Sequence, residues 1–255
     1  MGIDLRHTEY LAVLTRDCLD AAKLFRFDQS HPWHFTVVAL YGSIVELAGC
    51  IVVLSEHDGY TGLGSVLRTQ LEAYVDFVNL VQDRSYGRHM DAADAKQLRT
   101  IYRRAVESDN PYLLGVREHE AFGDMVKQLD EELQLLKVEG IESLGIEQRF
   151  SMAGMTDLYD GVYRVLCTDT HSNRSALLTR HLEQQADGNI KIAFYRSRSE
   201  EDLLPFLDSA AGILVDSTER VHEALELKLP QQLVKRMRQL DEMRAAVVQT
   251  DTAGA

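Results

Sequence analysis

The residues able to do chemistry in this 255-residue chain are few, and they fall into two groups. Arg164 and His171 lie within the stretch YRVLCTDTH at 163–171, seven positions apart, so a continuing helix turns them the same way. A histidine that titrates near neutrality moves protons, and a guanidinium stabilises charge on a phosphate, so these two form the candidate catalytic pair. The second group is Glu46, Arg68 and Glu72. Glu46 interrupts the apolar run FTVVALYGSIVELAGCIVVL, and a buried carboxylate needs a partner or a proton. Arg68 and Glu72 are four apart on the next helix, where side chains meet. One reading of the three is an ion-pair cluster that fixes helix register. The sharper reading is a polar pocket in which Arg68 holds an anion and two carboxylates orient it.

Other chemistries lack their residues. There is no glycine-rich phosphate loop, no HExxH and no GxSxG elbow. An ExxH pair occurs once, at Glu219 to His222, whereas a di-iron bundle needs two such pairs and two further carboxylates. The expectation is therefore no metal and no cofactor. Cys18, Cys50 and Cys167 are scattered and odd in number, which argues against a disulfide framework and for a reducing, cytoplasmic setting. Forty acidic against 27 basic residues give a net charge of −13, so general DNA binding is not expected.

The elements that must position these residues are helices. Leu63, Leu67, Leu71, Tyr74, Val78 and Val81 share one side of a helix over 63–81, with Val66 and Phe77 widening the arc. The apolar run before it predicts a helix over 35–56. Glu46 in its middle would cost roughly 2.5–3.5 kcal/mol in a bilayer, so the spacing predicts a buried bundle helix and no membrane. The short HDGYTG loop makes these two helices antiparallel neighbours. Further helices are expected over 5–27, 92–107, 111–138, 154–168, 173–185 and 200–226, those over 92–107 and 111–138 forming a hairpin that Gly140 ends. Pro230 opens a last helix. The alternation in DGNIKIAFY predicts one strand over 187–195, whose partner the pattern does not name. The fold class is all-α: a multi-helix bundle with a buried central helical hairpin and at most one short strand or hairpin near 187–195. The expected organisation is one domain over 1–250, with a core at 35–185, a helical extension at 199–247, and a disordered tail at 248–255.

The pattern LRTQLEAYVDFVNLV, followed much later by YRVLCTDTH, resembles a bacterial family of uncharacterised helical proteins, over about residues 35 to 185. In that family an Arg-xxx-Glu helix is joined by a later Tyr-to-His segment, which Arg68, Glu72, Tyr163 and His171 match. The resemblance adds Tyr163 to the polar pocket. A looser resemblance is to HEPN-like helical domains, many of them metal-independent ribonucleases of toxin–antitoxin and antiphage systems. Their mark is an Arg followed a few residues later by a His, as Arg164 and His171 are here. The resemblance implies that His171 acts as general acid–base on RNA while Arg164 steadies the phosphate.

The leading expectation is accordingly an HEPN-like, homodimeric endoribonuclease or nucleotide-binding protein acting on RNA or a nucleotide in bacterial defence. The alternative is a non-catalytic helical module that binds a partner protein or a small anionic ligand through the Glu46–Arg68–Glu72 pocket.

Overall fold

Caps and tight turns decide where these helices stop. The computed structural model describes residues 7–170, 173–195 and 198–253. It is all-α apart from one two-stranded hairpin. The chain forms two compact units: Met1–Val81 with Phe150–Ala255, and Gln82–Arg149.

The larger unit is built on α1 (His7–Ala22), α2 (Pro32–Glu56), α3 (Tyr60–Gln82), α11 (Glu200–Ala224) and α12 (Gln231–Ala253). Leu11, Leu14, Val37, Ile44, Ile51, Leu63, Leu71, Phe77, Leu214 and Val221 are fully or almost fully buried. Each such side chain contributes about 1.5–3 kcal/mol by leaving water. The α2–α3 pair is antiparallel: Trp33 Nε1 donates to the Leu80 carbonyl (2.8 Å) and Gln70 Nε2 to the Ile44 carbonyl (3.1 Å). Between α1, α2 and α11 the buried Thr218 hydroxyl meets Tyr41 at 3.0 Å and Cys18 Sγ at 3.4 Å. Burial pushes the Cys18 thiol up to about 11. The expected cap of α11 is present, with Asp202 N–H donating to Ser199 Oγ and Ser199 N–H to Asp202 Oδ2. Helix α12 continues to Ala253, through most of the tail expected to be disordered, because no proline or glycine interrupts it before Gly254.

Three sequence expectations are corrected by packing. Helix α2 is not buried all round. Its neighbours α1, α3 and α11 cover one side, leaving Phe35 (50% exposed), Ala39, Ser43, Glu46, Cys50 and Val53 (55%) in solvent. Among the described residues it is the one helix long and apolar enough to cross a membrane, yet only 39% of its apolar window is buried. The helix expected over 154–168 is broken into α8 (Thr156–Leu158), a π-helical turn (Tyr159–Tyr163) and α9 (Arg164–Thr170). A π turn takes an extra residue, so an apolar face read at the α period slips. Of the expected apolar face Leu158, Val162, Val165 and Leu166, Leu166 is buried but the two valines are exposed, and Tyr163 is buried in their place. Helix α10 (Arg174–His181) ends earlier than expected. It gives way to β1 (Leu182–Gln184), the missing partner of β2 (Ile190–Ile192), with Leu182 opposite Ile192 and Gln184 opposite Ile190.

The smaller unit is a helical hairpin of α4 (Tyr86–Glu107) and α6 (Phe122–Val138), preceded by a short α5 (Leu114–Arg117) and followed by α7 (Ile146–Met152), which runs into the larger unit. The helix expected over 111–138 is interrupted at Glu118–Ala121, where His119 Nδ1 accepts from Ala121 N–H instead. Arg88 meets Glu139 at 2.6 Å and Arg99 meets Asp130 at 2.5 Å, which makes α4 and α6 antiparallel. Gly140 ends α6 at φ +75°, and Ile141 N–H returns to the Leu136 carbonyl.

Candidate functional site

The π turn carries Tyr163 inward to α3. There its hydroxyl donates to Glu72 Oε1 (2.8 Å) and accepts from Arg68 Nη2 (3.0 Å) and Nε (3.3 Å). Arg68 Nε is also 3.0 Å from Glu72 Oε1, one helical turn away. Arg68, Glu72 and Tyr163 therefore close a three-way polar clasp between α3 and the π turn. Burial, and then donation to the Glu72 carboxylate, hold the Tyr163 phenol well above its ordinary pKa. The Tyr163 hydrogen bond holds Arg68 above its own. Tyr163 forms a triangle of rings with Phe150 (5.0 Å between centroids) and Tyr159 (5.5 Å, stacked), which are themselves 5.4 Å apart. Glu46, expected beside Arg68, is on the exposed face of α2 and takes no part. The clasp leaves Arg68 engaged on Tyr163 and Glu72, with no second carboxylate paired to it among the described residues.

Arg164 points outward on α9. Its Nε is 3.1 Å from Asp160 Oδ1, and its guanidinium lies over the Tyr159 ring at 5.1 Å. Side-chain exposure of 60% on both partners leaves this pair in water. His171 lies outside the described residues.

A second constellation, which the sequence reading missed, forms where the α2–α3 turn faces the end of α10 and the β-hairpin. Asp58, Gly59, Tyr60, Thr61, Arg180, His181, Phe194, Tyr195 and Arg198 line a cavity of about 230 Å³. The turn is fixed by a C-terminal helix motif: Asp58 takes φ +55° and Gly59 N–H bonds the Leu54 carbonyl at 2.7 Å. A Cβ on Gly59 would come within 2.6 Å of the Leu54 side-chain tip, which would have to turn aside. Across the cavity, Arg198 stacks on the Tyr60 ring at 4.3 Å, and its Nε has no hydrogen-bond partner among the described residues. Arg180 is nine-tenths buried. His181 packs its ring on Phe194 at 5.7 Å, and its buried Nδ1 likewise has no partner among the described residues.

The rim is aromatic and strained. Phe194 and Tyr195 are 70% and 85% exposed. Three non-glycine residues among those described have positive φ: Asp58, Glu226 and Tyr195. The first two end helices, but Tyr195 (φ +50°) follows a strand, where a bulky side chain in this region costs about 1–3 kcal/mol. Two guanidiniums and an imidazole face one carboxylate here. The arrangement suits a small anion with a flat ring beside it.

A larger groove of about 560 Å³ lies on the hairpin of the smaller unit, lined by Lys96, Arg99, Arg103 and Lys137. Two of its cations face acids, Arg99 with Asp130 and Arg103 with Glu107. No group of His, Cys, Asp and Glu able to hold a metal occurs among the described residues.

No curated protein and no solved structure matches this chain. Residues 34–190 match the model of a family described as "Family of unknown function (DUF5677)", more than half of the chain, and the chain belongs to that family.

Proposed function

We propose that this DUF5677 protein is a binding module for a phosphate-bearing ligand with a flat ring, such as a nucleoside monophosphate. It takes that ligand in the cavity between the α2–α3 turn and the β-hairpin. The observation that carries this reading is the pairing of Arg180 and Arg198 around a cavity where the buried His181 Nδ1 and Arg198 Nε lack partners among the described residues. Buried polar groups are ordinarily satisfied, and a phosphate offers them acceptors. A charge-assisted hydrogen bond is worth about 1.5–3 kcal/mol. The cavity is small for a whole nucleotide, so it takes the phosphate, while the ring stacks on Phe194 or Tyr195 at the rim for about 1–3 kcal/mol.

This reading takes up the small-anion alternative and moves it from Arg68 to Arg198. The ribonuclease reading asks Arg164 to steady a phosphate, and the exposed ion pair with Asp160 supports that less well. The test is a melting curve of the full chain with inorganic phosphate, with AMP and with adenosine, beside an incubation with total RNA. AMP should raise the melting temperature most, phosphate less and adenosine least. RNA should stay intact with wild type and His171→Ala alike. No shift with either phosphate compound would overturn the binding reading. RNA cleavage lost on His171→Ala would establish the nuclease instead.

A further inference from the structure

The groove on the hairpin of the smaller unit differs in kind from the ligand cavity of the larger one. Lys96, Arg99 and Arg103 step along α4 at i, i+3 and i+7 and share one face, and Lys137 answers them from α6. Past Gly140 the chain turns back, and the Glu142 carbonyl comes to 2.7 Å from His89 Nδ1 on α4. That return brings Ile141 and Ser143 to the groove of about 560 Å³. Ala92 and Leu136, both buried, line it together with Leu133 and Ile141. The lining is therefore cationic and aliphatic, and it contains no aromatic ring.

The charges around it are unevenly placed. Lys96 donates to the Ser143 hydroxyl at 3.2 Å, and neither it nor Lys137 has a carboxylate partner among the described residues. Asp130 and Glu107, the partners of Arg99 and Arg103, line a second cavity of about 220 Å³ that adjoins the groove at those two arginines. Asp91, Glu132 and Glu139 act on Arg88 instead. The groove itself is lined by four cations and one carboxylate, Glu142, an excess of three. A phosphate monoester brings only about −1.5 to −2 at neutral pH, so a second phosphoryl group is needed to meet that excess. The adjoining cavity holds Tyr102, Val106, Val126 and Leu129 beside its two acids. Those carboxylates repel an anionic head and leave that chamber to an apolar tail.

We infer that the α4–α6 groove is a second binding site, independent of the first, for an alkyl or prenyl diphosphate. The diphosphate lies between Lys96 and Lys137, and the tail runs past Arg99 and Arg103 to Val106 and Leu129. Ser143, which accepts from Lys96, keeps its hydroxyl proton for a phosphate oxygen. A nucleobase finds no ring to stack on in the larger chamber, so a nucleoside diphosphate gains only what its diphosphate supplies.

Isothermal titration of the full chain with geranyl diphosphate, pyrophosphate, ADP and geraniol tests the site. Each titration is repeated in Arg198→Gln, which removes a cation of the other cavity. Geranyl diphosphate should bind both proteins alike, at least tenfold more tightly than pyrophosphate does in Arg198→Gln. In that variant ADP should match pyrophosphate, and geraniol should not bind. Joint replacement Lys96→Gln and Lys137→Gln, at two exposed positions, should weaken geranyl diphosphate at least tenfold with the melting temperature and AMP binding unchanged. Val106→Asn, also at an exposed position, should weaken geranyl diphosphate and leave pyrophosphate as it was. No binding of geranyl diphosphate, or binding indifferent to the two lysines, would overturn the inference. Equal affinity for pyrophosphate and geranyl diphosphate in Arg198→Gln would overturn it too, as would ADP binding more tightly than either. Geranyl diphosphate binding lost in Arg198→Gln alone would place that ligand in the other cavity and likewise overturn it.

Discussion

Two polar clusters of the larger unit differ in one respect that separates structure from function. In the Arg68–Glu72–Tyr163 clasp the three groups satisfy one another at 2.8–3.3 Å. In the cavity lined by Arg180, His181 and Arg198 the buried His181 Nδ1 and Arg198 Nε lack partners among the described residues. A closed cluster fixes the geometry of the elements that carry it. An open one leaves donors that a bound acceptor can satisfy. Tyr195 sharpens the contrast, because its strained backbone serves no helix cap.

Breaking the clasp should unfold, and breaking the cavity should not. The largest effect is expected for Tyr163→Ala, which removes a ring packed on both Phe150 and Tyr159 as well as the hydroxyl. It should cost about 3–5 kcal/mol in chemical denaturation. A loss under 1 kcal/mol would show that the π turn is held by something else. Arg68→Met should cost only about 1 kcal/mol, since Tyr163 still donates to Glu72 and the guanidinium is partly solvated. It should leave ligand binding unchanged, which calorimetry would check.

Tyr195→Gly should run the other way. Relief of the left-handed backbone should raise stability by about 0.5–1 kcal/mol, while loss of a stacking surface should weaken AMP more than phosphate. A destabilised Tyr195→Gly would mean that the ring packs in the fold after all. The smallest effect is a dependence on alkaline pH. The Tyr163 pKa is raised by folding, so its stabilisation is fully present below pH 10 and is lost as pH rises towards the folded-state value. The stability difference between wild type and Tyr163→Phe should therefore be flat from pH 7 to about pH 9.5 and shrink above it. A difference that grows with pH would contradict the burial of that phenol.

Much of the fold was legible because helix signals are local. Ser199 with Asp202, Gly140, and the spacing along 63–81 each act within a turn or two. The pairing of Arg68 with Glu72 is of the same kind, and Tyr163 joined it through the resemblance. The failures share a cause at longer range. An apolar circumference on α2 says nothing about how many neighbours will arrive, so Glu46 was placed inside a bundle that covers only one side. A π turn leaves no mark in hydrophobic periodicity, and it re-aimed the residues from Leu158 to Leu166. The cavity residues come from segments more than 100 positions apart, joined only when the β-hairpin folds back on the α2–α3 turn. The one local hint was the glycine-bearing HDGYTG loop opposite a cluster of Arg, His and aromatic residues at 180–198.

The central claim is that the open cluster binds and the closed one does not. Isothermal titration of AMP into wild type, Arg198→Gln and Arg68→Met tests it most directly, with a melting curve for each protein. Arg198→Gln should keep its melting temperature within a degree or two and lose affinity tenfold or more, at least about 1.4 kcal/mol. Arg68→Met should bind like wild type. Equal affinity in wild type and Arg198→Gln, or binding lost in a folded Arg68→Met, would contradict the assignment.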